Sequence, residues 1–273
     1  MEECKGRVLI IAGSDSGGGA GIQADIKTVT ALGGYAMTAI TAVTVQNTLG
    51  VTNVHEVPPQ IVLDQIDSVM RDLGADVWKL GMLGSASHAR TVEEAFYAVG
   101  GGVPIVLDPV MVAKGGARLL SEDAVAIIRD DLLRIAAIVT PNAPEAEALT
   151  GLEVRDLDGQ KRAAELLVGK LGAFTALVKG GHIDGPVLRD VFASEDGFEI
   201  YESPRIETRA THGTGCTLAS AIAAHLALGA PLTEAVPRAR DYLMEAIRNA
   251  PGLGQGHGPL GHNWPCRSPD RRS

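Results

Sequence analysis

The chain has 273 residues, of which 45% are hydrophobic and 21% are charged, and its formal net charge is -9. This composition is typical of a soluble globular protein with a large core, and the acidic balance argues against nucleic acid or an anionic membrane as the main partner. A phosphate-binding site in such a chain must be made positive locally, by backbone amides, a few basic side chains or a metal ion.

The cysteines and the apolar segments indicate the cellular compartment of the protein. Cys4, Cys216 and Cys266 lie far apart and form no CxxC pair, which indicates reduced thiols rather than a disulfide framework or a structural zinc site. The N-terminus lacks the pattern of a signal peptide, and no run of about 18 apolar residues is present. We therefore expect a cytoplasmic protein with no membrane partner.

Short β-branched segments alternate with longer amphipathic segments along the chain. The first is a predicted strand at 7–11, followed by a glycine-rich loop and a helix at 21–32. The later predicted strands are 39–45, 51–57, 77–80, 104–107, 137–140 and 176–179, with a hairpin at 188–193 and 197–201. The later predicted helices are one that opens at Pro58 and Pro59, then 87–100, 121–133, 143–149, 159–171, 216–228 and 231–249.

This alternation predicts an α/β fold with a mostly parallel central sheet that is covered by helices on both faces. We expect a single domain over 1–273, with its core at about 7–261 and a loose C-terminal tail at 262–273. Ligands of such open sheets bind beyond the carboxyl ends of the strands. Residues that directly follow predicted strands are therefore the candidates for a site.

The first candidate is the glycine-rich loop 13–21, between the first strand and a helix. Glycines let backbone amides approach a ligand closely, and the start of a helix is partly positive. The loop is not a Walker A motif, because no Gly-Lys-Ser/Thr follows, and the acidic residue of a dinucleotide-binding unit is missing about 20 residues later. A ligand-binding loop and a flexible turn both stay open.

Polar residues follow three later strands. Asp108 lies at a strand end before a proline, where a carboxylate can hold Mg²⁺ or cap a turn. Asn142 and Glu145 have the spacing of a helix capping box, and their oxygens can also serve Mg²⁺ and nucleotide phosphates. Lys179 ends a strand, where a solvated lysine and a phosphate-contacting lysine are both expected.

The segment 211–217 runs into an apolar helix and is the most informative motif. Gly213 and Gly215 free neighbouring amides to point at one spot, and the helix dipole adds positive potential that suits a transferring phosphoryl group. Cys216, at the start of the helix, is expected to have a lowered thiol pKa, and its thiolate is a candidate base. The alternative is a glycine turn ahead of a buried helix.

Together these segments resemble the ribokinase-like superfamily, and within it the hydroxymethylpyrimidine/phosphomethylpyrimidine kinases of thiamine biosynthesis. The resemblance runs in order from about residue 7 to Gly261, and it is carried by segments 12–27, 38–48, 79–83, 108–111, 140–142 with Glu145, 178–182 and 211–217. The superfamily usually has an aspartate where Cys216 stands, and a cysteine there is typical of this branch and of related pyridoxal kinases. The resemblance implies the three-layer fold of the superfamily.

The resemblance also implies an activity and a site. Members use ATP and Mg²⁺ to phosphorylate a hydroxymethyl group on a small pyrimidine and then the resulting monophosphate, and a homodimer is implied. The implied pyrimidine pocket consists of Gln46, which reads the aminopyrimidine edge, with Gly13, Asp25, Val43, Met82 and Val110. The implied Mg²⁺ residues are Asp108 and Glu145, and the implied ATP contacts are Asn142, Lys179, Thr211, Gly213 and Gly215. The implied catalytic residues are Lys179, Gly213, Gly215 and Cys216.

Other functions stay open from the sequence. Pyridoxal/pyridoxine kinases share the scaffold, a nicotinamide-dependent oxidoreductase rests only on the first glycine loop, and a non-catalytic pyrimidine-binding protein fits the same pocket. A cysteine nucleophile paired with His212 has no further support, and neither has a metal site at His257 and His262. The tail of the family often has a lysine where His257 stands, so Lys114, in a Lys-Gly-Gly loop, is the candidate to close over the site.

Overall fold

A computed structural model describes residues 6–112, 116 and 120–266. Its strands are β1 (Arg7–Asp15), β2 (Tyr35–Asn47), β3 (Gly50–Glu56), β4 (Val77–Leu80), β5 (Ile105–Leu107), β6 (Ile138–Val139), β7 (Ala176–Val178), β8 (Val187–Ser194) and β9 (Gly197–Pro204). Its α-helices are α1 (Gly21–Ala31), α2 (Pro59–Asp72), α3 (Ala86–Ala95), α4 (Glu122–Asp130), α5 (Ala143–Thr150), α6 (Leu157–Gly169), α7 (Thr214–Ala227) and α8 (Leu232–Arg248). Within the described ranges, no helix is both long and apolar enough to cross a bilayer. Lys114 and the end of the tail, 267–273, lie outside the described residues.

The strands form one sheet in the order β3-β2-β1-β4-β5-β6-β7-β8-β9. The pairs from β2 to β7 are parallel, whereas β3 joins β2, β8 joins β7 and β9 joins β8 in antiparallel pairs. The predicted mostly parallel sheet is therefore confirmed. Since the carboxyl ends of parallel strands meet at one edge, the segments that follow β1, β4, β5, β6 and β7 are brought together there.

Side chains of each central strand alternate between two apolar layers. In β1, Leu9 and Ile11 belong to the layer formed with α2 to α6, whereas Val8 and Ile10 belong to the layer formed with α1, α7 and α8. Trp78 and Val77 in β4 divide between the layers in the same way. A strand that is buried on both faces needs apolar residues at every position, which explains the continuous apolar runs in the sequence.

Two helices end earlier than their sequence patterns predict. The helix predicted at 87–100 is regular only as α3, and it continues as a π-helical turn at Phe96–Gly100. The helix predicted at 121–133 ends with α4, and a 3₁₀ turn follows at Leu132–Ile135. The apolar spacing of a helix changes little through such turns, so the pattern does not mark the true end.

The first part of the tail is packed rather than loose. His262 is buried, and its Nε2 lies 2.9 Å from Thr217 Oγ1 in α7. The Tyr242 hydroxyl donates to the His262 carbonyl oxygen at 2.6 Å, and the Trp264 ring lies against the Tyr242 ring. Burial lowers the pKa of His262 to about 4, so the imidazole is neutral at physiological pH. The prediction of a loose segment is wrong for 262–266, because these contacts to α7 and α8 are not visible in local composition.

Candidate active site

The carboxyl edge of the parallel strands borders a cleft with a volume of about 870 Å³. Four of the predicted substrate residues line it: Gly13, Gln46, Met82 and Val110. The predicted nucleotide, metal and catalytic residues line it too: Asp108, Asn142, Glu145, Lys179, Thr211, Gly213, Gly215 and Cys216. The cleft thus joins segments that are far apart in the sequence. Asp25 and Val43 are the predicted site residues that do not line it.

A buried ion pair lies in the cleft. Lys179 Nζ donates to Asp108 Oδ1 at 3.0 Å, and Thr140 Oγ1 lies 3.3 Å from the same oxygen. The second carboxylate oxygen, Asp108 Oδ2, is buried and has no hydrogen-bond partner among the described residues. A buried carboxylate oxygen without a donor is costly. This atom therefore marks a place for a cation or for a donor from a ligand.

The first turn of α7 reaches this ion pair because two glycines leave room for it. Gly213 has a φ of 80°, which favours glycine, and a side chain there would overlap the carbonyl oxygen of Gly19. A β-carbon on Gly215 would lie 3.2 Å from Lys179 Nζ and 3.4 Å from Asp108 Oδ2. The first amides of a helix lack partners within it and carry partial positive charge. The helix start, the lysine and the aspartate therefore meet in one place that is suited to bind an anion, which we call the anion-binding centre.

Asn142 and Glu145 form the capping box that their spacing predicts. The Asn142 side chain accepts from the Glu145 amide at 2.9 Å, and the Glu145 carboxylate accepts from the Asn142 amide at 2.8 Å. Burial raises the pKa of Glu145 to about 7, and Asp108 adds to this rise while Lys179 opposes it. Because the capped end of α5 lines the cleft, the structural role and a role in binding are compatible.

Cys216 does not have the activated thiol that its position predicts. Burial raises the pKa of the Cys216 thiol to about 12, and the carboxylates of Asp25 and Asp108 act in the same direction. Lys79 and the Gly21 amide lower the thiol pKa but do not compensate for burial. The prediction of a lowered pKa is wrong because it considers the helix dipole without the loss of water around the sulfur.

Asp25 lies beneath the cleft rather than in its wall. Its carboxylate accepts from Lys79 Nζ at 2.9 Å and from Ser220 Oγ at 2.7 Å, and the Asp25 and Lys79 side chains are fully buried. Burial alone lowers the pKa of Lys79, but the Asp25 carboxylate raises it overall and keeps the lysine charged. Asp25 therefore joins α1, β4 and α7 under the site, and its predicted substrate contact stays a prediction.

Val43 is also outside the cleft. It is 48% exposed, whereas the next residue in β2, Thr44, is buried and lines the cleft. Successive side chains of a strand point to opposite faces of the sheet, so Val43 is turned away from the site. A substrate contact of Val43 would have to come from its main chain, and it stays a prediction.

The sequence does not predict three further groups of cleft residues. His212 Nε2 lies 2.9 Å from Asp15 Oδ2 and 3.3 Å from the side-chain amide of Gln46. Arg240 donates to Asp190 at 2.8 Å on another wall of the cleft. The apolar wall contributed by α8 consists of Leu243, Met244 and Ile247. The amphipathic period of α8 marks the last group as apolar, but no local signal shows that these residues border a cleft rather than the core.

Comparison with known proteins shows which family the chain belongs to. A family model described as phosphomethylpyrimidine kinase matches residues 15–261. The chain belongs to this kinase family. The hydroxymethylpyrimidine/phosphomethylpyrimidine kinase of Bacillus subtilis is 46% identical over 257 residues, which cover 94% of each chain. The bifunctional thiamine biosynthesis protein ThiED of Geobacter sulfurreducens is 50% identical over 258 residues, which cover 94% of this chain but only 52% of that protein.

Solved structures of kinases share the fold. A phosphomethylpyrimidine kinase from Clostridium difficile is 41% identical, with a TM-score of 0.78 over 88% of this chain and 98% of that chain. The pyridoxal kinase of Bacillus subtilis, solved as an ADP complex, is 33% identical, with a TM-score of 0.87 over 94% of this chain and 97% of that chain. The chain is therefore a phosphotransferase with the ribokinase-like three-layer fold, as the sequence predicts.

Breaking the buried Asp25–Lys79 pair on one side is expected to destabilise the protein more than removing both partners. Lys79→Met leaves a buried carboxylate without its counter-charge and is expected to lower the free energy of unfolding by about 3–5 kcal/mol. The double variant Lys79→Met with Asp25→Leu is expected to recover about 2 kcal/mol of that loss. Urea denaturation followed by circular dichroism measures both values, and equal losses in the two proteins would contradict a paired role.

The raised pKa of Cys216 predicts slow alkylation by iodoacetamide at neutral pH. The thiolate is the reactive form, so the rate at Cys216 is expected to rise about tenfold per pH unit between pH of about 7 and 10. Mass spectrometry of the modified peptides measures this rate, with the exposed Cys266 as the internal comparison. A rate at Cys216 that is high and independent of pH near neutrality would show a resting thiolate and contradict the effect of burial.

Proposed function

We propose that this protein transfers the γ-phosphoryl group of ATP to the hydroxymethyl group of 4-amino-5-hydroxymethyl-2-methylpyrimidine, and then phosphorylates the monophosphate to the diphosphate in thiamine biosynthesis. The observation that carries the proposal is the meeting of Asp108, Lys179 and the start of α7 in one cleft. Phosphoryl transfer depends mainly on positioning and charge neutralisation, which this centre supplies. The names of the relatives supply the substrate class.

The pyrimidine ring is assigned to the part of the cleft between Gly13, Met82 and Val110. A β-carbon on Gly13 would lie 2.5 Å from Met82 Cε, so the glycine keeps the space beside the thioether open. A flat ring suits such a narrow gap, and the thioether favours contact with an aromatic ring. Gln46 lines the same part of the cleft and offers its amide to the polar edge of the ring.

ATP is assigned to the opposite part of the cleft. The proposed phosphate contacts are Asn142, Lys179 and Thr211, with the amides at Gly213 and Gly215. The apolar wall of α8 suits the flat face of a nucleotide base. Nucleotide complexes of related kinases support this assignment, since the pyridoxal kinase of Staphylococcus aureus solved with AMP-PCP and pyridoxal is 32% identical, with a TM-score of 0.86 over 94% of this chain and 93% of that chain.

Mg²⁺ fits the carboxylates of the site. Asp108 Oδ2 is a buried oxygen without a donor among the described residues, and carboxylate oxygens are preferred Mg²⁺ ligands. In the described part of the chain, no group of three or more His, Cys, Asp or Glu side chains is arranged to hold a metal. Asp108 and Glu145 are the residues that would hold Mg²⁺. The bound ion would supply positive charge that neutralises the phosphates.

Residues of the chain stabilise the charge of the phosphoryl group and orient the substrate. Lys179 and the amides at the start of α7 stabilise the charge of the transferring phosphoryl group. Cys216 lines the cleft as a neutral thiol, so we assign it to contact and orient the hydroxymethyl group rather than to act as a resting thiolate base. A largely dissociative transition state requires little attack by the nucleophile before the old bond breaks, so positioning carries most of the catalysis.

Phosphorylation of pyridoxal or pyridoxine is the second candidate function. The pyridoxal kinases of Bacillus subtilis and Staphylococcus aureus have TM-scores of 0.87 and 0.86, above the 0.78 of the Clostridium difficile phosphomethylpyrimidine kinase. Their sequence identities of 33% and 32% are below the 41% of that kinase, and the family model also favours the pyrimidine.

The homodimer and the cytoplasmic location that the resemblance implies are part of this proposal. Val43 and Val45 in β2 lie on the face of the sheet that is turned away from the cleft, and they are 48% and 57% exposed. Apolar side chains grouped on an exposed sheet face are commonly covered by another copy of the same chain.

A coupled ADP-release assay tests the proposed function. The purified protein is offered hydroxymethylpyrimidine, its monophosphate, pyridoxal and pyridoxine in parallel, with ATP and Mg²⁺. Both pyrimidines are expected to give kcat/KM at least about tenfold above that of either vitamin B6 compound, because the site is matched to the aminopyrimidine edge. Higher kcat/KM with pyridoxal would replace the proposal with the second candidate, and pyrimidine binding without ADP release would show a non-catalytic protein.

Cys216→Ala is expected to lower turnover about 100-fold, because the reacting hydroxyl loses a group that orients it. The Kd for ATP is expected to stay within about threefold of the wild-type value, since the proposed phosphate contacts are unchanged. Cys266→Ala, at an exposed cysteine, is the matched control and is expected to keep wild-type turnover. Steady-state kinetics and calorimetry measure the two effects, and wild-type-like turnover of Cys216→Ala would remove Cys216 from the mechanism.

A further inference from the structure

A chain of polar contacts links Gln46 to the glycine-rich loop through His212. His212 and Asp15 are buried, with 6% and 2% exposure, and His212 Nε2 lies 2.9 Å from Asp15 Oδ2. The same ring nitrogen lies 3.3 Å from the side-chain amide of Gln46. Neither His212 nor Asp15 takes part in the proposed phosphoryl transfer, although both line the cleft.

Asp15 determines which ring nitrogen of His212 carries a hydrogen. Its carboxylate also accepts from the amides of Gly17, Gly19 and Ala20, at 2.8, 3.0 and 2.8 Å. Burial raises the pKa of Asp15, but the hydrogen bonds from His212 and these amides lower it overall, so the group is ionised. An ionised carboxylate only accepts hydrogen bonds. His212 Nε2 must therefore carry a hydrogen and donate it to Asp15.

The orientation of the Gln46 amide follows from this donor. The Gln46 nitrogen lies nearest to this ring nitrogen in the structure, but a protonated His212 Nε2 cannot accept a hydrogen bond from it. The amide is therefore assigned the reverse orientation, with its carbonyl oxygen facing His212, because the two ends of a glutamine amide are assigned from such networks. On the other side, Thr44 Oγ1 lies 3.0 Å from Gln46 Oε1 and 3.0 Å from the Ser14 carbonyl oxygen, and its one hydroxyl hydrogen cannot serve both acceptors. In the reversed amide, Thr44 donates to Ser14 and accepts from the NH₂ group of Gln46.

We propose that His212, held by Asp15, is a positioning residue that fixes the polarity of the Gln46 amide and thereby selects a ring edge with an amino group beside an unprotonated ring nitrogen. The amide oxygen has a second lone pair for the amino group, and the NH₂ group has a second hydrogen for the ring nitrogen. A 4-aminopyrimidine presents this edge. A 4-oxopyrimidine presents the reverse, a carbonyl oxygen beside a ring N–H. Its carbonyl oxygen would face the amide oxygen of Gln46, so that two acceptors oppose each other without a hydrogen between them.

The ratio of kcat/KM between two substrates tests this role, given that the pyrimidine kinase activity is itself proposed. The substrates are 4-amino-5-hydroxymethyl-2-methylpyrimidine and its 4-oxo counterpart. The wild type is expected to prefer the amino compound by about 100-fold or more, because a mismatched edge leaves buried polar groups unpaired. His212→Leu removes the donor to the amide oxygen and leaves Thr44 as the remaining constraint on the amide, so the preference is expected to fall below about tenfold.

A purely structural role of His212 would lower kcat/KM for both substrates alike. A wild-type ratio in an active His212→Leu protein would therefore overturn the proposal. His212→Gln keeps an N–H donor at this position and is expected to retain more of the preference than His212→Leu.

Thr44 provides an independent test at the other end of the amide, which stands even if His212→Leu does not fold. Thr44→Val removes the acceptor of the NH₂ group and is expected to reduce the preference, whereas the matched control Thr44→Ser keeps the hydroxyl and the ratio. An unchanged ratio in Thr44→Val would count against a fixed amide.

If the wild type releases ADP with neither pyrimidine, the proposed function itself fails and the role of His212 falls with it. If the wild type is active but does not distinguish the two, only the role of His212 fails.

Discussion

A protein of net charge -9 that binds a polyanion must concentrate positive charge in one place, and the cleft is built around this requirement. Backbone amides at a helix start carry partial positive charge and need no counter-ion, so they are available whether or not a ligand is bound. A buried lysine does need one, and Asp108 provides it for Lys179 at 3.0 Å. The other oxygen of this carboxylate has no hydrogen-bond partner among the described residues. In the proposed function, Asp108 would therefore pair with Lys179 and hold the metal ion as well.

The position of α7 matters more than any single side chain, because its first turn supplies the amides. The helix is held from below by Ser220, which donates to Asp25, and Asp25 in turn pairs with Lys79 in β4. Alanines on its buried face, among them Ala221 and Ala224, let the helix lie close to the sheet. A buried ion pair is weak evidence for stability, but its directional contacts restrict how the helix can shift. We therefore infer that the Asp25–Lys79 pair helps to fix the position of the α7 start relative to β4.

Most of the fold and the location of the site can be predicted from the sequence, because both follow from the apolar pattern. Apolar periodicity marks the strands and helices, and the rule that ligands bind at the carboxyl ends of parallel strands then selects Asp108, Asn142 and Lys179. What the sequence does not predict at the site depends on residues far away in the chain. The Cys216 thiol loses water to the packing around it, and Asp25 is covered by α7. His212 is missed because its partner, Asp15, is 197 residues away.

The two ends of the cleft use different chemistry, which explains how one scaffold serves several vitamin precursors. The phosphate end depends on backbone amides and one ion pair, and it tolerates little change because Gly213 is in contact with the Gly19 backbone. In the proposed function, the ring end depends on side chains, above all Gln46 and His212. His212 directly precedes Gly213, and its own amide is held by the Gly258 carbonyl oxygen at 3.1 Å. The residue that we propose to orient the Gln46 amide thus belongs to the segment that would position the phosphates. On this proposal, a change of one side chain could alter the choice of substrate while the backbone of the phosphate site stays in place.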